Sequence, residues 1–162
     1  MRHGSRSSRA ALRAAVAVGA AAVVGLGFTS SASAVTPQTA TATYDCGVWG
    51  GGSATLTATQ SGTAATITLT SAVTTPVHVD QDSMAATLTL AKNGSGTTVF
   101  SGTKNPDLPA GSSVTIGPLT GTVAAGDSLD SYTGGTALSM TIFGVAVSCN
   151  ATTAQSPGPF VF

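Results

Sequence analysis

Glutamate is missing from all 162 residues, and arginine is missing beyond Arg13. Charged residues make up 7% of the chain, so each one can be followed individually. From Val35 onward two lysines, Lys92 and Lys104, stand against six aspartates, a formal charge of −4. Binding to a phosphate backbone needs cations to displace counterions, so this balance argues against a nucleic-acid partner. It also leaves no polybasic patch for an anionic membrane surface. Histidine is nearly as scarce, with His78 alone beyond His3. A serine or cysteine nucleophile would therefore have a single candidate base. Two cysteines and one histidine fall short of a four-ligand zinc site. No cofactor is expected, and the side chains favour a non-enzymatic protein.

Long apolar runs are absent too, apart from Ala14–Phe28. Arg2, Arg6, Arg9 and Arg13 precede it, and Ala32-Ser33-Ala34 follows it as an A-x-A box. A basic segment, an apolar segment and a small-residue box form an export signal, cut before Val35. The run is shorter than the ~20 residues of a membrane helix. There is no twin arginine, which favours the general secretion route. The expected product is secreted, extracellular or associated with the cell envelope, with no membrane span after cleavage.

Cysteine is limited to Cys46 and Cys149. Cys46 lies in TYDCGVWGGGS, well beyond the cleavage box, so it is not a lipid-anchor cysteine. In an oxidising compartment an even count points to pairing. A Cys46–Cys149 disulfide would enclose nearly the whole folded body. In a chain-entropy account such a loop contributes about 4–5 kcal/mol.

What the chain has in abundance is alternation. SATLTAT places Ala54, Leu56 and Ala58 on one face and threonines on the other. AATITLT does the same with Ala65, Ile67 and Leu69, and MAATLTLA with Met84, Ala86, Leu88 and Leu90. Period two with one apolar face marks strands. Gln60-Ser61-Gly62 and Lys92-Asn93-Gly94 mark hairpin turns. Pro118 ends a strand or marks an edge. TALSMTIFGVAVSC is predicted as one central strand with a bulge at Gly144. Its alternate set, Phe143, Val145, Val147 and Cys149, would face the core.

About eight short strands with no convincing helix predict an all-β fold. The specific expectation is a single antiparallel immunoglobulin-like β-sandwich, with the disulfide joining first and last strands. The expected division is a signal peptide (1–34), an N-terminal extension (35–42), the sandwich (43–150) and a Pro/Phe-containing tail (151–162). The tail and the extension look less ordered, though Phe160 and Phe162 could dock.

Several motifs suggest chemistry. Gly126-Asp127-Ser128-Leu129 spells a signature of one esterase class, but no histidine follows it, and these are ordinary turn residues. His78, Asp80 and Asp82 share a strand face and are the candidate metal or acid–base cluster; a solvated strand end is the alternative. Trp49 with Tyr44 is the candidate ligand-contact platform. A tryptophan packed beside the disulfide is the alternative there. The Thr-x-Thr runs could grip an ordered surface, and they are also what a half-exposed strand uses when it avoids charge.

Tyr44-Asp45-Cys46, Val147-Ser148-Cys149 and an intervening SGT…LPAG (Ser101–Thr103, Leu108–Gly111) lie in an Ala/Gly/Thr-rich exported chain. In these features it resembles small secreted actinobacterial proteins with a β-sandwich domain of unknown function, over roughly Thr43–Asn150. The resemblance implies a sandwich and lends no catalytic residue. The expected function is a binding or structural module with an extracellular or cell-wall partner. The alternatives are a small secreted hydrolase or metal-dependent enzyme using His78, Asp80 and Asp82, and a self-assembling coat protein.

Overall fold

The computed structural model describes residues 34–162. The leader expected over residues 1–34 lies outside them, apart from Ala34. Ten strands follow one another: β1 (Thr39–Asp45), β2 (Gly51–Ser61), β3 (Ala64–Thr74), β4 (Ala85–Lys92) and β5 (Gly96–Thr103), then β6 (Ser113–Thr122), β7 (Ser128–Ser131), β8 (Thr136–Ile142), β9 (Val145–Ala151) and β10 (Phe160–Val161). One 3₁₀ turn, Gly47–Trp49, joins β1 to β2.

The predicted alternation holds on every strand named for it. Ala54, Leu56, Ala58, Ile67, Leu69, Met84, Leu88 and Leu90 are all buried. The threonines opposite them face outward and align from strand to strand. Thr41 pairs with Thr55, Thr55 with Thr70, and Thr70 with Thr115. Within this outer wall the Thr59 and Thr66 hydroxyls hydrogen-bond at 2.7 Å. Cross-strand threonine pairs of this kind stabilise a sheet without charge.

The architecture corrects the immunoglobulin-like sandwich. The strands form one sheet in the order β10-β7-β4-β5-β6-β3-β2-β1-β9-β8, and β8 returns to pair with β4. Eight strands, from β4 round to β8, thus close an antiparallel barrel. The closing contact sets Ala85–Leu88 against Leu138–Thr141. Sandwich and barrel both need one apolar face per strand, so alternation cannot separate them; only the β4–β8 pairing does. The second half of β4 is covered differently, with Leu90–Lys92 pairing with β7.

Two local readings also change. TALSMTIFGVAVSC is a hairpin, β8–β9, and not a single strand. Its turn residues Phe143 and Gly144 have φ of 52° and 78°. Positive φ at both central positions fits a tight hairpin turn whose twist matches its strands. Val147 and Cys149 do face the core, whereas Phe143 and Val145 are exposed. At Pro118 the chain does not stop; β6 continues through a bulge opposite Ile67–Leu69. Gly117 takes φ of 114° there, and a Cβ at that position would lie 2.7 Å from the Ile67 carbonyl oxygen.

The segments at both ends of the described residues are built into the barrel wall. Thr41 exchanges backbone hydrogen bonds with Ser156, and Thr36 with Val161. Val35, Phe160 and Phe162 are buried with Leu129 and seal one end of the barrel. The Cys46–Cys149 disulfide is present and ties the end of β1 to β9, across 103 residues of sequence.

Candidate functional site

The other end of the barrel is open. Here an apolar cavity of about 370 Å³ reaches inward from the mouth. Its deep wall is made by Leu69, Met84, Ile116 and Leu138, all nearly fully buried. Its rim carries Val48, Trp49, Val77, Phe143 and Val145. These are five of the seven large apolar side chains exposed among the described residues. Isolated exposed apolar residues are ordinary, but their convergence on one concavity is a mark of a binding site. Among the described residues no aspartate, lysine or histidine lines the cavity.

Each rim residue is placed by a specific local device. Asp45 accepts a hydrogen bond from the Gly47 N–H at 2.9 Å, which starts the 3₁₀ turn. Cys46 N–H donates to the Gly50 carbonyl and closes the same turn. The disulfide pins its base, so Val48 and Trp49 project from a cross-linked point. Phe143 is held in the left-handed region at the β8–β9 tip and is 66% exposed. A bulky residue in that conformation costs about 1–2 kcal/mol. Such strain, displayed together with an exposed aromatic ring, points to a role for the ring.

Val77 and Val79 belong to the connection between β3 and β4, which forms one wall of the mouth. This wall is fastened to the β5–β6 connection. Val79 and Leu108 exchange two backbone hydrogen bonds. Buried Asn105 is the centre of the fastening. Its side-chain oxygen accepts from the Ser83 and Met84 N–H groups at 2.9 and 2.8 Å. Its amide nitrogen donates to the Asp80 and Pro106 carbonyls. A fully satisfied buried amide of this kind makes the wall rigid, so the cavity is preformed.

Both Trp49 and Tyr44, the residues singled out as a ligand platform, line this cavity. Trp49 is not packed away beside the disulfide; it is half-exposed at the rim. Tyr44 lies on the buried face of β1. Burial pushes its phenol pKa up to about 12; the neighbouring Ser131 hydroxyl acts the other way, and the Asp130 carboxylate adds to the rise. By hydrogen-bond geometry neither the Tyr44 nor the Ser131 hydroxyl has a well-formed partner.

The histidine cluster assembles with one exchange. His78 Nε2 lies 2.8 Å from Asp107 Oδ1, and His78 Nδ1 lies 3.5 Å from Asp80 Oδ1. Asp82 turns away to Lys104 Nζ at 2.8 Å. The three groups that meet are therefore His78, Asp80 and Asp107, within 4.8 Å of one another and all exposed. Asp107 comes from a different loop, and strand periodicity around His78 could not indicate it. A cation could bridge these ligand atoms. For acid–base work the imidazole has carboxylates at both nitrogens and, among the described residues, no hydroxyl or thiol partner, and both cysteines are in the disulfide.

The Gly126–Leu129 run lies at the sealed end, remote from the cavity. Asp127 is buried there. It accepts from Lys92 Nζ at 2.8 Å and from the Ala124 N–H at 2.7 Å. These contacts, Lys92 foremost, hold its carboxyl below the usual range. The motif is a turn stabilised by its aspartate.

In comparisons with known proteins no family model matches this chain, and neither a curated protein nor a solved structure is significantly similar. Among the described residues no helix is long and apolar enough to cross a membrane. The outer wall carries threonines where a membrane-spanning barrel needs a band of large apolar side chains.

Proposed function

We propose that this is a secreted, non-enzymatic β-barrel that binds a small apolar molecule in its open mouth, outside the cell or at the cell envelope. One observation carries the reading: most of the exposed large apolar side chains encircle a single uncharged cavity. Closed barrels of eight strands have room for one small ligand. A disulfide is compatible with an extracellular setting, and the leader motif in residues 1–34 supports export.

The test is saturable binding of a neutral apolar fluorophore, N-phenyl-1-naphthylamine, to the purified protein. Energy transfer from Trp49, the only tryptophan, reports proximity. Met140 also lines the cavity; Met140→Trp, which fills it and is read by direct excitation of the fluorophore because it carries a second tryptophan, should abolish binding while leaving the far-ultraviolet circular dichroism spectrum unchanged. Non-saturable binding, or full binding by the filled variant, would remove the proposal.

A self-assembling coat would need strand edges that sparse charge leaves unprotected. Closure of β8 onto β4 removes those edges from the barrel. The hydrolase alternative keeps His78 and Asp80 together but loses Asp82, and no nucleophile adjoins the imidazole.

A further inference from the structure

The cavity and its surroundings differ in charge. Inside, no ionised side chain is present to meet a buried ion, and burying one unpaired is prohibitive. An ionic group on a ligand must therefore stay at the rim. The rim is acidic. Asp45 immediately precedes Cys46 on the cavity wall, and Asp80 immediately follows Val79. Asp107 lies beside Asp80, both in contact with His78. Lys104, the one lysine at this end, is already engaged with Asp82. Lys92 is engaged at the sealed end with Asp127. Three exposed aspartates thus lie at the open end with no lysine partner. Trp49 offers a half-exposed ring in the turn that Asp45 starts, and a ring face attracts cations.

Resting on the cavity reading above, we infer that the ligand is a single-chain amphiphile with an apolar tail and a cationic head. The tail fills the cavity, and the head sits outside near Trp49 and Asp45. A cavity of about 370 Å³ is at the small end for ligand sites and suits one chain.

The experiment compares three ten-carbon probes below their micellar concentrations: decyltrimethylammonium, decanol and decanoate. Trp49 fluorescence reports binding at pH 8. At low ionic strength the cation should bind about five- to tenfold more tightly than decanoate, with decanol between them. Half-molar salt should narrow that ratio. Asp80→Asn combined with Asp107→Asn should narrow it as well and leave decanol binding unchanged, since both carboxylates contact His78 and neither lines the cavity. Decanoate binding as tightly as the cation overturns the head-group assignment, as does decanol binding more tightly than either ion. A ratio insensitive to both salt and the aspartate substitutions overturns it too. In each of those cases the cavity reading survives. Absence of binding by all three probes removes both.

Discussion

Phe160 and Phe162 are buried edge-to-face, with ring centroids 6.4 Å apart, where they seal the barrel together with Val35. Phe143 stands at the opposite end, largely in solvent, on a backbone conformation that disfavours it. The chain has few aromatic residues, 5% of its length. It uses two of them to plug one end and leaves another, with Trp49, at the open rim. Charge is divided in a parallel way. The sealed end buries Asp127 against Lys92, while the mouth keeps Asp45, Asp80 and Asp107 exposed. The sealed end is organised for stability. The open end retains features that stability alone would remove.

The largest effect belongs to the disulfide, which fastens the open end. Replacing both cysteines with serine should lower unfolding free energy by about 4–5 kcal/mol, measured by urea denaturation. Phe160→Ala should cost about 3–5 kcal/mol, because it empties the plug. A loss below 1 kcal/mol would show that the sealed end is not the stabilising half.

Asp127→Asn should cost about 1–3 kcal/mol by leaving Lys92 without its anion. The pH dependence has a definite sign. The Asp127 pKa is lowered by folding, so protons bind the unfolded chain more tightly. Its stabilisation is present above the unfolded carboxylate value near pH ~4 and lost as pH falls below it. The Asn variant should show a flatter acid limb in a stability–pH curve.

The smallest effect runs the other way. Phe143→Gly relieves the left-handed conformation and should leave stability unchanged or raised by up to about 1 kcal/mol. The same variant should bind the apolar fluorophore more weakly. A stability loss like that of Phe160→Ala would erase the distinction between the two ends.

The contrast also shows where sequence reasoning works. Leu56, Ile67, Leu88 and their neighbours were legible as core because period two ties each one to a face. The disulfide was legible because nothing else in the chain could use two cysteines. Closure was not legible: β4 pairs with β8 across some fifty residues, and no local pattern records that pairing. Phe143 and Val145 were read as core because an apolar residue in an apolar run ordinarily is. The Phe143-Gly144 turn reverses that, and one glycine is a faint signal for it. Trp49 and Tyr44 came to notice through their nearness to Cys46. Val77 and Asn105 gave no such signal, since a valine in a loop and an asparagine beside a proline look ordinary.

The two lysine ion pairs have a consequence for resistance to proteolysis. A protease that cuts after lysine or arginine has two targets between Val35 and Phe162, at Lys92 and Lys104. Each ammonium is held by a carboxylate at 2.8 Å. Lys92 ends a barrel strand, and Lys104 adjoins buried Asn105. Cleavage at either one requires that piece of the wall to open first. A glutamate-specific protease finds no target at all. Threonine keeps the outer wall polar at positions where lysine or glutamate would have offered cleavage sites, and the barrel thereby presents few points to such proteases.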